Sequence, residues 1–307
     1  MSGDTQSARS ILDIPRALIL GCVRVRHLRQ MDRSLLVTLV GFPATLIHGD
    51  TLVYDRWRWL RRRLPKTRNG ETVVDLGCGT GAFSIGAAKR GYHVLGIGWD
   101  ESSMDLATHR AALCSVSNVK FDALDLRALH TRADLVGAFD AAICTECVEH
   151  IIDDFKLFRD IAKCLAPGGR LLLTTPHLYY HAITAPDEGP FELVESGPHV
   201  RRGYTRAMLI ELCERAGLVC ENISYCSGFM SQKATWILRK LRMVGWAMIL
   251  PLRPLIAIGD KYVTRLIGWP RYSICLEAYK PRVPAKDKQP IEGRNAGFQA
   301  EADEADR

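Results

Sequence analysis

Residues 73–81, VVDLGCGTG, constrain this chain more than any other stretch. Val73, Val74 and Leu76 make a short apolar run of the kind buried on both faces of a parallel sheet. Gly77, Gly79 and Gly81 follow at alternate positions, and residues 82–90 have helical character. A strand, a glycine turn and a helix in succession let backbone N–H groups approach a ligand with no side chain in the way. The spacing is D-x-G-x-G-x-G, with Asp75 inside the strand end, and not the dinucleotide-binding G-x-G-x-x-G. The competing reading is a tight turn that binds nothing.

The residues downstream repeat the strand–helix alternation. Strands are expected at 71–76, 93–97, 119–124, 139–145, 170–175, 218–225 and 273–279. Helices are expected at 82–90, 102–115 and 154–165, with another capped by Thr205 and closed by Gly217. Pro167-Gly168-Gly169 is expected as a turn into the fifth strand. Such alternation specifies an α/β fold with a parallel sheet and helices on both faces. Ahead of it, residues 54–64 place Trp57, Leu60 and Leu64 on one helical face, with arginines expected on a solvated face. Residues 1–69 form a basic, helical extension, 70–280 the main domain, and 281–307 a polar tail expected to be disordered.

Two insertions interrupt the alternation, at 177–203 and 227–272. The second holds Trp236, Leu241, Trp246, Met248, Leu252 and Leu255 but is punctuated by Pro251 and Pro254. It is expected to be a hydrophobic cap over the site or an amphipathic element on a bilayer, not a spanning helix.

A hydrophobic content of 47% suits a full globular core, and the net charge of +7 favours anionic surfaces without indicating nucleic acid. The ten cysteines are scattered, several in apolar runs, which suits a reducing cytoplasm better than a disulfide framework. Cys144 and Cys147 form a lone C-x-x-C with no second pair at zinc spacing. No stretch near the amino end has the pattern of a signal peptide.

The glycine motif and the order of elements resemble the class I, Rossmann-like S-adenosylmethionine-dependent methyltransferases of the small-molecule and ubiquinone-biosynthesis type. The resemblance implies a seven-stranded, mostly parallel sheet, with N-terminal helices and the hydrophobic insertion as elaborations. It implies that Asp75, Gly77, Cys78, Gly79 and Gly81 hold the methionine and ribose side of S-adenosylmethionine. The family's ribose-binding acid after the second strand would fall at Gly98, as in cyclopropane-forming lipid methyltransferases, which also lack it. Asp100, two residues on, is either a shifted ligand or a helix cap with Ser102 and Ser103. Asp125, followed by Leu126, matches the adenine-binding acid, with Asp122 as the competing candidate.

After the fourth strand, Glu146, Glu149 and His150 form E-x-x-E-H. The motif looks like the one that binds a divalent metal in ubiquinone-biosynthesis and small-RNA O-methyltransferases. Glu146, Glu149 and His150 would then hold an ion such as Mg, or His150 would act as a general base, or the group would simply cap and pack a helix. His199, ahead of the Thr205 helix, is a second base candidate, and Arg201 or Arg202 could hold a carboxylate or phosphate.

The leading expectation is an S-adenosylmethionine-dependent methyltransferase acting on an oxygen of a small or amphipathic, lipid-like acceptor. It would be cytoplasmic, with peripheral membrane contact and no nucleic-acid partner. C- or N-methylation, including lipid-type chemistry, is the second reading. A non-catalytic, membrane-associated binding protein on the same fold is the third. Oligomeric state is not written in the sequence.

Overall fold

The computed structural model describes residues 34–46, 51–195 and 197–282. The segment 15–33 and the tail beyond 282 lie outside the described residues. The sheet contains β1 (Thr72–Leu76), β2 (His93–Gly98), β3 (Val119–Ala123), β4 (Phe139–Thr145), β5 (Leu165–Pro176), β6 (Val219–Cys226) and β7 (Ser273–Tyr279). Their order is β3-β2-β1-β4-β5-β7-β6, and β7 runs antiparallel to both its neighbours. The helices are α1 (Ser34–Val40), α2 (Phe42–Thr45), α3 (Leu52–Arg63), α4 (Ala82–Ala88), α5 (Glu101–Leu113), α6 (Asp154–Cys164), α7 (Arg206–Arg215) and α8 (Phe229–Ile267). This is the expected Rossmann-like fold.

The strands alternate as a two-sided sheet requires. Val74, Leu76, Leu171 and Leu173 face one layer with Phe158 and Ile161 of α6 and Leu209 and Leu212 of α7. Val73, Ile143 and Leu172 face the other, with Trp57 and Leu60 of α3 and Ala87 of α4. Each of these large side chains contributes about 1.5–3 kcal/mol by leaving water. Because β1 lies between β2 and β4, the chain reverses its winding there and opens a crevice at the strands' carboxyl ends.

Two local expectations change. β5 starts at Leu165, and its pairing shifts between Phe139↔Leu165 and Ala141↔Arg170, so Pro167-Gly168-Gly169 lies in a bulge within the strand. The arginines of α3 are not all solvated: Arg56 is buried, and Arg63 pairs with Glu277 at 2.7 Å.

The larger change is in the insertion before β7. Instead of breaking at Pro251 and Pro254, α8 is helical from Phe229 to Ile267, and it folds back on itself. A straight helix of this length would span about 58 Å. Yet the N–H groups of Gly228 and Ser231 donate to the Asp260 carboxylate at 2.7 and 3.1 Å, and that of Phe229 donates to Thr264 Oγ1 at 2.9 Å. Gly245 packs so tightly on the first arm that a Cβ there would lie 2.9 Å from the Ile237 carbonyl oxygen. The element is a hairpin of two arms that turns between Leu238 and Gly245. The second arm caps the first, satisfying amides that a helix start leaves unpaired. Ala234, Leu238, Ile249 and Ile256 fill the space between the arms. The hairpin docks on α3 through Arg58 to the Ala257 carbonyl at 2.6 Å and Arg253 to the Thr51 carbonyl at 2.8 Å. No helix among the described residues is long and apolar enough to cross a membrane.

Asp260→Ala should strip two buried amides of their acceptor, at about 1–3 kcal/mol each. Hydrogen exchange should then quicken at Gly228 and Ser231 while amides of β1 and β4 keep their protection. Uniform loss of protection across the sheet would show that the hairpin is not a separate unit.

Candidate active site

The turn after β1 is shaped by its three glycines. Gly77, Gly79 and Gly81 have φ of 75°, 52° and 78°, a region that side-chain-bearing residues avoid. A Cβ on Gly77 would lie 2.6 Å from Cys147 Sγ, and one on Gly81 would lie 2.8 Å from Ala107 and the Phe121 ring. A Cβ on Gly79 meets nothing within 4 Å. The amides of Gly77 and Cys78 donate to the Ile97 carbonyl, and that of Gly81 donates to the Cys78 carbonyl. The outer glycines therefore serve packing and turn geometry, and the open position of the turn is Gly79.

Asp75 is fully buried behind that turn. One carboxylate oxygen accepts from Ser84 Oγ at 2.6 Å, and Oδ1 has no hydrogen-bond partner. Desolvation pushes its pKa up to about 6 from the usual 3.8.

At the end of β2, a Cβ on Gly98 would lie 2.7 Å from Met104 Cε. The methionine fills the space where an acidic side chain would begin. Asp100 caps α5, accepting from the Ser103 amide at 2.9 Å and the Ser103 hydroxyl at 2.6 Å, and these bonds lower its pKa. Trp99, between the two, is 75% exposed.

Beyond β3, Asp125 accepts from the Arg127 guanidinium, which lowers its pKa, and from the Arg127 amide at 2.9 Å. Arg127 also binds Glu195 at 2.8 Å, so it ties this turn to the 177–203 loop. Leu126 is buried, and a Cβ on Gly77 would touch it at 3.9 Å. Asp122 is paired with Arg132 at 3.1 Å.

At the end of β4 the E-x-x-E-H residues part company. Glu146 has φ of 47° and turns back into the fold. It pairs with Arg56 of α3 at 2.9 Å and accepts from Thr174 Oγ1 at 3.1 Å and Ser273 Oγ at 3.2 Å. Glu149 and His150 sit in a short 3-10 turn, and His199 joins them from the 177–203 loop. One ligand atom of each lies within 4.8 Å of the others, so the structure groups Glu149 and His150 with His199 and not with Glu146.

Glu149 is fully buried. One oxygen accepts from Thr175 Oγ1 at 3.0 Å, and Oε1 has no hydrogen-bond partner and lies 4.0 Å from His150 Nε2. Burial, with the nearby Glu146 charge, raises its pKa well above the carboxylate range. His150 Nδ1 is 3.2 Å from the Pro198 carbonyl oxygen, and its ring meets His199 edge-on with centroids 4.6 Å apart. An Nδ1–H donated to that carbonyl leaves the Nε2 lone pair directed into the cluster. Burial and the His150 ring lower the His199 pKa to about 4, so its imidazole is neutral at pH 7.

The chain's residues 52–223 match the family model described as a methyltransferase domain. The chain belongs to the methyltransferase-domain family. It is 32% identical over 155 residues to a ubiquinone biosynthesis O-methyltransferase of Neisseria meningitidis serogroup A, an alignment covering 48% of this chain and 64% of that one. It thus spans just under two thirds of that relative's length. Among solved structures it is similar to an S-adenosylmethionine-dependent methyltransferase from Mesorhizobium loti, with 24% identity, a TM-score of 0.50 and coverage of 73% and 97%. It is also similar to the [4+2]-cyclase SpnF, with 22% identity, a TM-score of 0.52 and coverage of 75% and 82%. At these identities the structural matches speak to the fold alone.

Within this methyltransferase domain, the two arginines expected as anion holders are already engaged by the protein. Arg201 is bound to Asp154 and the Ile151 and Ile152 carbonyls, and Arg202 to the Leu178 and Tyr180 carbonyls, so both pin the loop. The described cysteines are all free, and Cys147 packs against Gly77. No sequence motif marks Arg56 or Trp99 as a site residue. Arg56 lies ninety positions from the Glu146 it neutralises, and no local pattern reports that contact. Trp99 had a visible signal, a large apolar side chain between a strand end and a helix cap.

Asp75 gives a pH-dependent test. A raised acid favours the fold most when protonated, below pH 4, and that contribution is lost as the pH rises through 6. Asp75→Asn should therefore stabilise the protein by about 1–3 kcal/mol at pH 7.5 in urea titrations. The gain should close towards zero near pH 4, and a pH-independent difference would refute the assignment.

Proposed function

We propose that the protein transfers the methyl group of S-adenosylmethionine to a hydroxyl oxygen of a small acceptor, at the carboxyl ends of β1 and β4. The observation that carries this reading is the cluster of Glu149, His150 and His199 beside the glycine turn, to which Cys147 joins it. The curated relatives' names supply a second support, since they are O-methyltransferases.

In this reading Gly77, Cys78, Gly79 and Gly81 shape the cradle for the methionine part of the cofactor, with Gly79 at its open position. The buried Asp75 carboxylate faces the cofactor's positive charge, which offsets its desolvation. Asp125 and Leu126 hold the adenine. With Gly98 closed off by Met104, the ribose falls to Asp100, and Trp99 offers its exposed ring to the adenine face.

Methyl transfer asks mainly for alignment, because the sulfonium is already activated. The acceptor oxygen attacks the methyl carbon, and the C–S bond breaks with its electron pair going to sulfur. The hydroxyl proton passes to His150 Nε2, and the products are a methyl ether and S-adenosylhomocysteine. His199, with its pKa near 4, is a poor proton acceptor and serves as a neutral hydrogen-bonding neighbour.

The same three residues fit a divalent cation. Glu149 Oε1 is buried without a hydrogen-bond partner, and the Pro198 carbonyl orients the His150 ring as backbone carbonyls do for metal-bound histidines. Two imidazoles and a carboxylate suit manganese, iron or zinc better than the magnesium expected from the sequence. As the alternative to His150 acting as base, a cation held at its Nε2 would lower the pKa of the acceptor hydroxyl and orient it.

Transfer to carbon or nitrogen is the second reading, favoured by the closed Gly98 position. Mass and NMR analysis of the methylated product separates the two.

Calorimetry with S-adenosylmethionine tests the central claim, and no binding would overturn it. Gly79→Arg should weaken that binding at least about tenfold, at a fold cost of only about 1–2 kcal/mol for the positive φ. His150→Ala should lower kcat on a hydroxyl-bearing acceptor by about 10²–10⁴ while leaving cofactor affinity unchanged. If kcat survives, the base lies elsewhere.

A further inference from the structure

The second arm of α8 is apolar on the face that packs and also on the face that does not. Ile249, Ile256, Asp260 and Thr264 point inward and are buried. Val244, Met248, Leu255, Ile258, Tyr262 and Leu266 are exposed, with Leu255 at 65%, Tyr262 at 72% and Leu266 at 85%. At about 100° per residue these six positions fall within one arc of roughly 80°, opposite the buried face. A helix hydrophobic all round is ordinarily covered on all sides. An exposed stripe of this length, about 33 Å from Val244 to Leu266, calls for a partner.

The charges of the same element identify that partner. Residues 229–267 contain Lys233, Arg239, Lys240, Arg242, Arg253, Lys261 and Arg265 against one acid, Asp260. That acid is buried, where it caps the first arm. Lys261 and Arg265 are exposed along one edge of the apolar arc, and Lys240 lies over the half-exposed Trp236 at 4.9 Å. Apolar side chains bordered by cations and interfacial aromatics match the boundary between acyl chains and anionic headgroups. A second copy of the hairpin would set like charges against one another. The chain's own residues 1–33 are also net basic, with Arg9, Arg16, Arg24, Arg26, Arg29 and Arg33 against Asp4, Asp13 and Asp32.

We propose that the outer face of the α8 hairpin docks the protein in the surface of an anionic lipid bilayer, lying in its plane without crossing it. This stands independently of the methyl-transfer reading, because none of the residues named belongs to the candidate active site. The hairpin's rigid seat on α3 would hold the catalytic domain in a fixed orientation to the lipid.

The test is flotation of the full chain with vesicles of phosphatidylcholine containing phosphatidylglycerol, and with vesicles of phosphatidylcholine alone. Binding to the anionic vesicles should be at least about tenfold stronger, and should weaken as salt is raised. Leu255→Glu with Leu266→Glu changes two highly exposed positions. It should lower vesicle binding at least about tenfold while circular dichroism and S-adenosylmethionine affinity stay unchanged. Lys261→Glu with Arg265→Glu should erase the preference for anionic vesicles. Three results would overturn the proposal: no vesicle binding by the full chain, full binding by the Leu255/Leu266 variant, or a dimer in sedimentation that the Leu255/Leu266 variant disperses.

Discussion

The ion pair between Arg56 and Glu146 holds the site end of this molecule together. It joins α3 to the end of β4, and the hydroxyls of Thr174 and Ser273 bring β5 and β7 into the same knot. Both partners are largely withdrawn from water, so loss of either would strand the other, at a cost of about 3–5 kcal/mol. The pair also accounts for the left-handed turn at Glu146. By drawing that side chain back into the fold, it releases the following residues into the 3-10 turn that presents Glu149 and His150.

Three acids stand at the carboxyl ends of the central strands, and the protein treats them differently. Glu146 is neutralised internally. Asp75 and Glu149 are sealed from solvent with one oxygen each lacking a hydrogen bond, and burial raises both pKa values. Such groups oppose folding at neutral pH, which is the usual mark of a site kept for binding and not for stability. On the proposed reading, a cationic cofactor answers the first and a cation or acceptor proton the second.

Much of this was legible in the sequence, and the division follows range. Residues 73–81 declare themselves because apolar alternation and glycine spacing are local properties, and the strand–helix order follows the same way. Gly98 was legible as a missing acid, though only packing shows Met104 filling its place. The partnership of His150 with His199 joins positions on separate elements, and that of Arg56 with Glu146 hides behind a helix that looks solvated. The α8 hairpin was illegible for another reason. Its apolar residues surround the cylinder, so periodicity defines no inside, and its turn lies where no proline marks it.

The pairing of Cys226 with Ser273 at the last rungs of β6 and β7 has a consequence for how this chain could have been assembled. The hairpin leaves and re-enters the sheet at adjacent residues, where a tight two-residue loop would serve equally well. The sheet's register is set before the first residue of the insertion and resumed after its last. Because closure entropy grows only slowly with loop length, a segment attached in this way can be lengthened at modest cost to the sheet beneath it. It is an addition to the sheet's edge, closed on itself at the last rung of β6 and β7.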